Sequence, residues 1–79
     1  MNAAVLDQVR RIASELFDVP LSQLNAESSP ATVESWDSVQ HLNLVLEMEQ
    51  TFGVHFEPEE MEQMQSLGAI AEMVSSKQS

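Results

Sequence analysis

The stretch Glu34-Ser35-Trp36-Asp37-Ser38-Val39-Gln40-His41-Leu42-Asn43-Leu44-Val45-Leu46-Glu47-Met48-Glu49-Gln50-Thr51-Phe52-Gly53 decides the fold. Asp37 has the residue type and the placement of a helix N-cap, and Gln40, three residues on, completes a capping-box pattern. Gly53 is placed to end the helix in the left-handed region. The pattern predicts a long helix from Ser38 to about Phe52. On a helical wheel its apolar residues separate into two groups. Leu44, Val45, Met48 and Phe52 form one stripe. Val39, Leu42 and Leu46 form another on roughly the opposite side, with Ser38 at its head and Asn43, Glu49 and Gln50 at its margins. A small domain cannot enclose a helix completely, so part of the second stripe is expected near solvent, where an apolar patch suits partner docking. A central, nearly surrounded helix is the plainer account of the same pattern.

Ser38 stands where a polar loop turns into this helix. A helix start presents unpaired N–H groups and the positive end of the helix dipole, which favour a phosphate carried on that hydroxyl. Ser38 therefore reads as an attachment point.

Upstream, Val5, Val9, Ile12 and Leu16 share one face at helical spacing and predict an amphipathic first helix from Val5 to Phe17. Pro20 and Asn25-Ala26-Glu27-Ser28-Ser29-Pro30 punctuate a connection longer than the usual loop between packed helices, tacked down by Leu21, Leu24 and Val33. Downstream, Val54-His55-Phe56 reads as a short extended crossing. Glu57-Pro58-Glu59-Glu60 opens a short third helix reaching about Gln65, with Met61 and Met64 on its inner face. Ser66 caps a last helix whose Leu67, Ile70, Ala71 and Val74 face the core, before a frayed tail over 75–79. The expected architecture is one all-α domain over 1–79, a four-helix bundle with a short third helix and a long loop between the first two.

Composition narrows the function. The chain has 79 residues, 43% of them hydrophobic, with 13 Asp and Glu against 3 Lys and Arg and a formal net charge of -10. So short a chain has little room for a deep, water-excluding active site, which argues against a self-contained enzyme. Its charge disfavours nucleic acid and anionic membranes as partners and favours basic protein surfaces. There is no cysteine, so any thiol chemistry has to be imported. No basic region precedes an apolar run at the N-terminus, and no stretch approaches the about 18 apolar residues that span a bilayer. The reading is a cytoplasmic monomer.

Other chemistries fit poorly. Asp37, Ser38 and His41 could suggest a hydrolase, but the Gly-x-Ser-x-Gly elbow is missing and the aspartate is spent as a cap. On the wheel, His41 lies with the core stripe as a packed structural histidine, and His55 is a boundary residue. Two isolated histidines make no metal site. The spaced Asp-x-Asp-x-Asp-Gly loop of a calcium sensor is absent. An acidic helical adaptor without a prosthetic group remains as an alternative of another class.

Asp37-Ser38-Val39, followed by Leu42, Leu44-Val45-Leu46 and Glu49-Gln50-Thr51-Phe52-Gly53-Val54, resembles the acyl carrier proteins. The similarity covers essentially the whole chain, including the long loop, the short helix near Pro58 and the closing Leu67-Gly68-Ala69-Ile70. The resemblance implies that a phosphopantetheinyl transferase attaches the 4'-phosphopantetheine of coenzyme A to Ser38, with Asp37 as the cap beside it. The thiol of that arm then carries acyl intermediates as thioesters between enzymes of fatty-acid, polyketide-like or other acyl biosynthesis, the carrier itself performing no chemistry. It further implies that Val39, Leu42, Leu46 and Glu49 are gripped by acyl-loading, acyl-transfer or condensing enzymes with basic docking surfaces. Leu46, Phe56, Met61 and Met64 lie where carriers of fatty chains line an interior cleft, although ordinary core filling accounts for them equally. An aminoacyl or peptidyl carrier is the nearer alternative. Two departures stand out: Ser35-Trp36 replaces the glycine common before the serine, and Gln40, Asn43 and Gln50 are neutral where acids are frequent. Trp-Asp-Ser followed by His-Leu looks closer to stand-alone carriers of specialised pathways.

Overall fold

A computed structural model describes residues 3–78 of the chain. Four helices follow in order: α1, Ala3–Phe17; α2, Ser38–Phe52; α3, Pro58–Glu62; and α4, Leu67–Gln78. A single 3₁₀ turn, Leu21–Gln23, lies in the long loop between α1 and α2. Helix α1 packs most extensively on α4 and next on α2.

The buried stripe of α1 is Val5, Val9, Ala13 and Phe17. Ile12 and Leu16, expected in its centre, sit half-buried at its edge and still pack against the core. Spacing by four residues carries the stripe through Ala13, whose small side chain lets neighbouring helices approach and whose weak hydrophobicity hides it in the sequence. The helix ends at Asp18, which takes a left-handed φ of 56°. Val19 N–H then donates to Ser14 O at 3.1 Å, and the Ser14 hydroxyl donates back to Val19 O at 2.6 Å.

The first half of the long loop is fastened to both α1 and α4. Arg10 donates from Nε to Leu24 O at 2.9 Å and from its guanidinium to Leu21 O at 3.1 Å. Leu24 and Val33 are buried, while Leu21 is only half-buried. The loop also closes the start of α4: Leu67 N–H donates to Ser28 O at 3.0 Å and Gly68 N–H to Ala26 O at 2.9 Å. Ala69 N–H donates to the Ser66 hydroxyl at 3.1 Å. Three donors that a helix start leaves open are thereby satisfied.

Two expectations are corrected. The third helix stops at Glu62 rather than near Gln65, because a tight turn over 63–65 follows it. The segment expected to fray is helical through Gln78, held by Lys77, whose Nζ lies 2.9 Å from Glu60 Oε2 and 5.5 Å from the centre of the Phe56 ring. Ser79, the last residue of that segment, lies outside the described residues.

Candidate functional site

Asp37 holds the start of α2. In extended backbone geometry, its Oδ1 accepts the Gln40 N–H at 2.9 Å. The reciprocal half of the expected capping box does not form. Gln40 instead sends its Nε2 to Leu16 O at 3.1 Å and receives the Asn43 side chain on Oε1 at 2.9 Å, while Asp37 N–H donates to Ser35 O at 3.1 Å. Gln40 is thus spent on joining α2 to the end of α1. Ser38, the first residue of α2, is exposed. Neither its N–H nor that of Val39 has an intrahelical acceptor at this position.

The two stripes of α2 meet different surroundings. Leu44, Val45 and Met48 are fully buried, whereas Val39, Leu42 and Leu46 are 68%, 52% and 46% exposed. The exposed stripe runs from Ser38 along one side of the helix. Glu49 at its margin is engaged elsewhere: its Oε2 accepts the Phe56 N–H at 2.9 Å and lies 3.2 Å from His55 Nδ1, so it anchors the segment leading into α3.

On the other side of Ser38 lies an open cavity of about 750 Å³, lined by Ser29, Pro30 and Ala31 of the loop, Trp36, Asp37, Ser38 and His41 at the start of α2, and 61, 62, 64 and 65 around the end of α3. Of the four expected cleft residues, Met61 and Met64 line this cavity. Leu46 and Phe56 do not. Leu46 points to solvent with the exposed stripe, and Phe56 is 1% exposed, sealed into the core.

Trp36 and His41 are the residues that sequence reasoning undervalued. The Trp36 indole is 2% exposed, stacks on Phe17 with ring centres 5.4 Å apart, and donates from Nε1 to His41 Nδ1 at 3.0 Å. An indole N–H only donates, so His41 Nδ1 is the acceptor and its proton resides on Nε2, which faces Met61 O at 3.2 Å. One hydrogen-bonded chain therefore joins the loop, α2 and α3 across the inner side of the cavity. The five-residue separation of tryptophan and histidine across a helix start was the available signal. Among the described residues, no cluster of His, Cys, Asp and Glu could hold a metal ion, and no helix is long and apolar enough to cross a membrane.

The family model described as "phosphopantetheine attachment site" matches residues 7–74. The chain belongs to this family. Among members of known kind, it is 34% identical over 56 residues to acyl carrier protein 3 of Ralstonia nicotianae, a match covering 71% of this chain and 64% of that protein. The chain thus spans somewhat less than two thirds of the length of that curated relative. Its structure superposes on the holo acyl carrier protein of Geobacter metallireducens, solved in solution, with a TM-score of 0.84 and 28% identity over 94% of this chain and 85% of that one.

Membership brings 4'-phosphopantetheine as the prosthetic group. The residues present fit it. An exposed hydroxyl at a helix start, with open N–H groups for a phosphodiester, borders a largely apolar cavity of a volume that holds a flexible small molecule.

Proposed function

We propose that the chain is an acyl carrier, itself without catalytic activity, whose Ser38 hydroxyl is the attachment point of 4'-phosphopantetheine. The observation that carries this reading is the position of Ser38: exposed, first in α2, with the cavity on one side and the Val39, Leu42 and Leu46 stripe on the other. When bound, the group supplies the thiol that this cysteine-free chain lacks, and with it a thioester linkage to cargo.

The chain's own residues divide the remaining work. Asp37 fixes the helix start, keeping the Ser38 and Val39 N–H groups directed at whatever the hydroxyl carries. Met61 and Met64 give the cavity adaptable apolar walls. Val39, Leu42 and Leu46 offer a shallow apolar contact to a phosphopantetheinyl transferase and to acyl-loading, acyl-transfer or condensing enzymes. The net charge of -10 steers basic docking surfaces toward it and speeds encounter without tight binding, as a shuttle requires. Glu49 supports this surface by holding the Phe56 segment.

Incubation of the purified chain with coenzyme A and a promiscuous phosphopantetheinyl transferase tests the reading. The expected outcome is a single phosphopantetheine addition by intact mass, mapped to the peptide containing Ser38 and lost in Ser38→Ala. A folded sample that takes no addition from several transferases overturns the carrier reading in favour of an adaptor without a prosthetic group.

A further inference from the structure

The cavity beside Ser38 does not extend into the centre of the core. Its inner side is made by Trp36, His41, Met61 and Met64, while Phe17, Leu44, Met48 and Phe56, the large side chains of the core, take no part in its lining. Trp36 lines the cavity and stands between it and Phe17, stacked on that ring at 5.4 Å with its N–H fixed on His41 at 3.0 Å. His41 is fixed in turn at Met61 O, 3.2 Å from Nε2. Moving the indole aside leaves a buried N–H and a ring nitrogen without partners and breaks the contact with Phe17, so this partition resists displacement by an apolar chain.

We infer that the Trp36–His41 pair is a stop that sets the length of cargo the carrier shelters, restricting it to short acyl chains. The inference rests on the carrier reading above. A cavity of about 750 Å³ has to receive the pantetheine arm as well as its cargo, and cavities of this size hold about one drug-sized molecule. The space the arm leaves is walled on its inner side by Met61, Met64, His41 and the indole. A short chain fills it; a longer one meets the stop and remains on the surface, where a partner enzyme or water reaches it.

The test loads Ser38 with acetyl, butyryl, octanoyl and palmitoyl forms of the arm, using the matching acyl coenzyme A and a promiscuous transferase, and follows methyl and indole resonances by NMR. In the unaltered chain, butyryl shifts the Met61 and Met64 methyls and the Trp36 indole N–H, and octanoyl and palmitoyl leave the Met48 and Leu44 methyls at their unacylated positions. In Trp36→Leu, octanoyl shifts Met48 and Leu44. His41→Leu, which keeps the indole but removes its acceptor, gives the same gain in a smaller proportion of molecules and serves where Trp36→Leu does not fold. Shifts of Met48 and Leu44 with octanoyl in the unaltered chain overturn the stop alone. Shifts in neither group with any chain overturn the cavity as the cargo site. Absence of loading at Ser38 overturns the carrier reading and the stop with it.

Discussion

Lys77 Nζ lies 2.9 Å from Glu60 Oε2, tying the last turn of α4 to the short helix α3. Glu60 also accepts the Glu57 N–H on Oε1 at 2.8 Å, and Lys77 lies over the Phe56 ring. A helix of only five residues has little stability of its own. Its position, and with it that of Met61 and Met64 on the cavity wall, therefore depends on these ties.

The Glu57 N–H first, and Lys77 second, hold the Glu60 carboxyl below its ordinary value of 4.5. A depressed folded value means that the contribution to stability is complete above the unfolded value and is lost as pH falls through the folded one. Melting temperatures of the unaltered chain and Glu60→Gln, followed from about pH 7 to about pH 3, are expected to differ most at the neutral end and to converge below 4.5. A difference that stays constant on acidification contradicts the assignment.

Gly68 marks a close approach. A Cβ there falls 2.9 Å from Ala26 O and 3.1 Å from Ala26 Cβ, and that same carbonyl accepts the Gly68 N–H at 2.9 Å. Gly68→Ala pushes the loop from α4 at a cost of about 1–3 kcal/mol, more than the up to about 1 kcal/mol that alanine gains in helix propensity. The urea midpoint is expected to fall, and Arg10 and Ser28 contacts in the loop to loosen with it. An unchanged or raised midpoint means that the loop yields freely.

Much of this arrangement was legible in residue types and spacing. Asp37 and Gly53 bracket α2 as their chemistry requires, and helical spacing alone separates Leu44, Val45, Met48 and Phe52, the first three buried and Phe52 half-buried, from the exposed Val39, Leu42 and Leu46. Illegible were contacts that depend on distant partners. Gln40 looked like half of a capping box because the pattern is local, yet Leu16 O, brought up by the packing of α1, competes for its side chain. The last five residues looked frayed because they are polar, but Lys77 finds Glu60 only in the folded chain. His41 reads alone as a packed histidine and Trp36 only as a departure from the glycine common before the serine; their joint role appears once the helix start brings the indole N–H to Nδ1.

Leu42, 52% exposed in the middle of the outer stripe, separates docking from stability. Leu42→Ala leaves the unfolding free energy within about 0.5 kcal/mol, as for other exposed substitutions. The rate of phosphopantetheine transfer to Ser38 at limiting carrier concentration is expected to drop several-fold. Equal rates for the two proteins place the docking contact elsewhere.

A net charge of -10 on so small a chain is repulsive in the compact state. Added sodium chloride screens that repulsion over about 10 Å at 0.1 M, so the melting temperature is expected to rise with salt. A melt indifferent to salt shows that this repulsion contributes little to the stability of the compact state.

Asp37 separates a structural role from a recognition role at the attachment point. Its carboxylate accepts the Gln40 N–H at 2.9 Å while the side chain remains exposed, so the acceptor oxygen rather than the charge secures the helix start. Asp37→Asn keeps an acceptor and is expected to retain stability within a few tenths of a kcal/mol, whereas Asp37→Ala loses about 1 kcal/mol. Amide exchange at Gln40 and His41, whose N–H groups are bonded to Asp37, quickens in the alanine variant alone, because the first turn of α2 then opens without unfolding the bundle. Transfer to Ser38 slows with it, since the hydroxyl is presented by that turn. Transfer that slows equally in the asparagine variant, with exchange unchanged, makes the charge of Asp37 a feature read by the transferase and overturns the purely structural role.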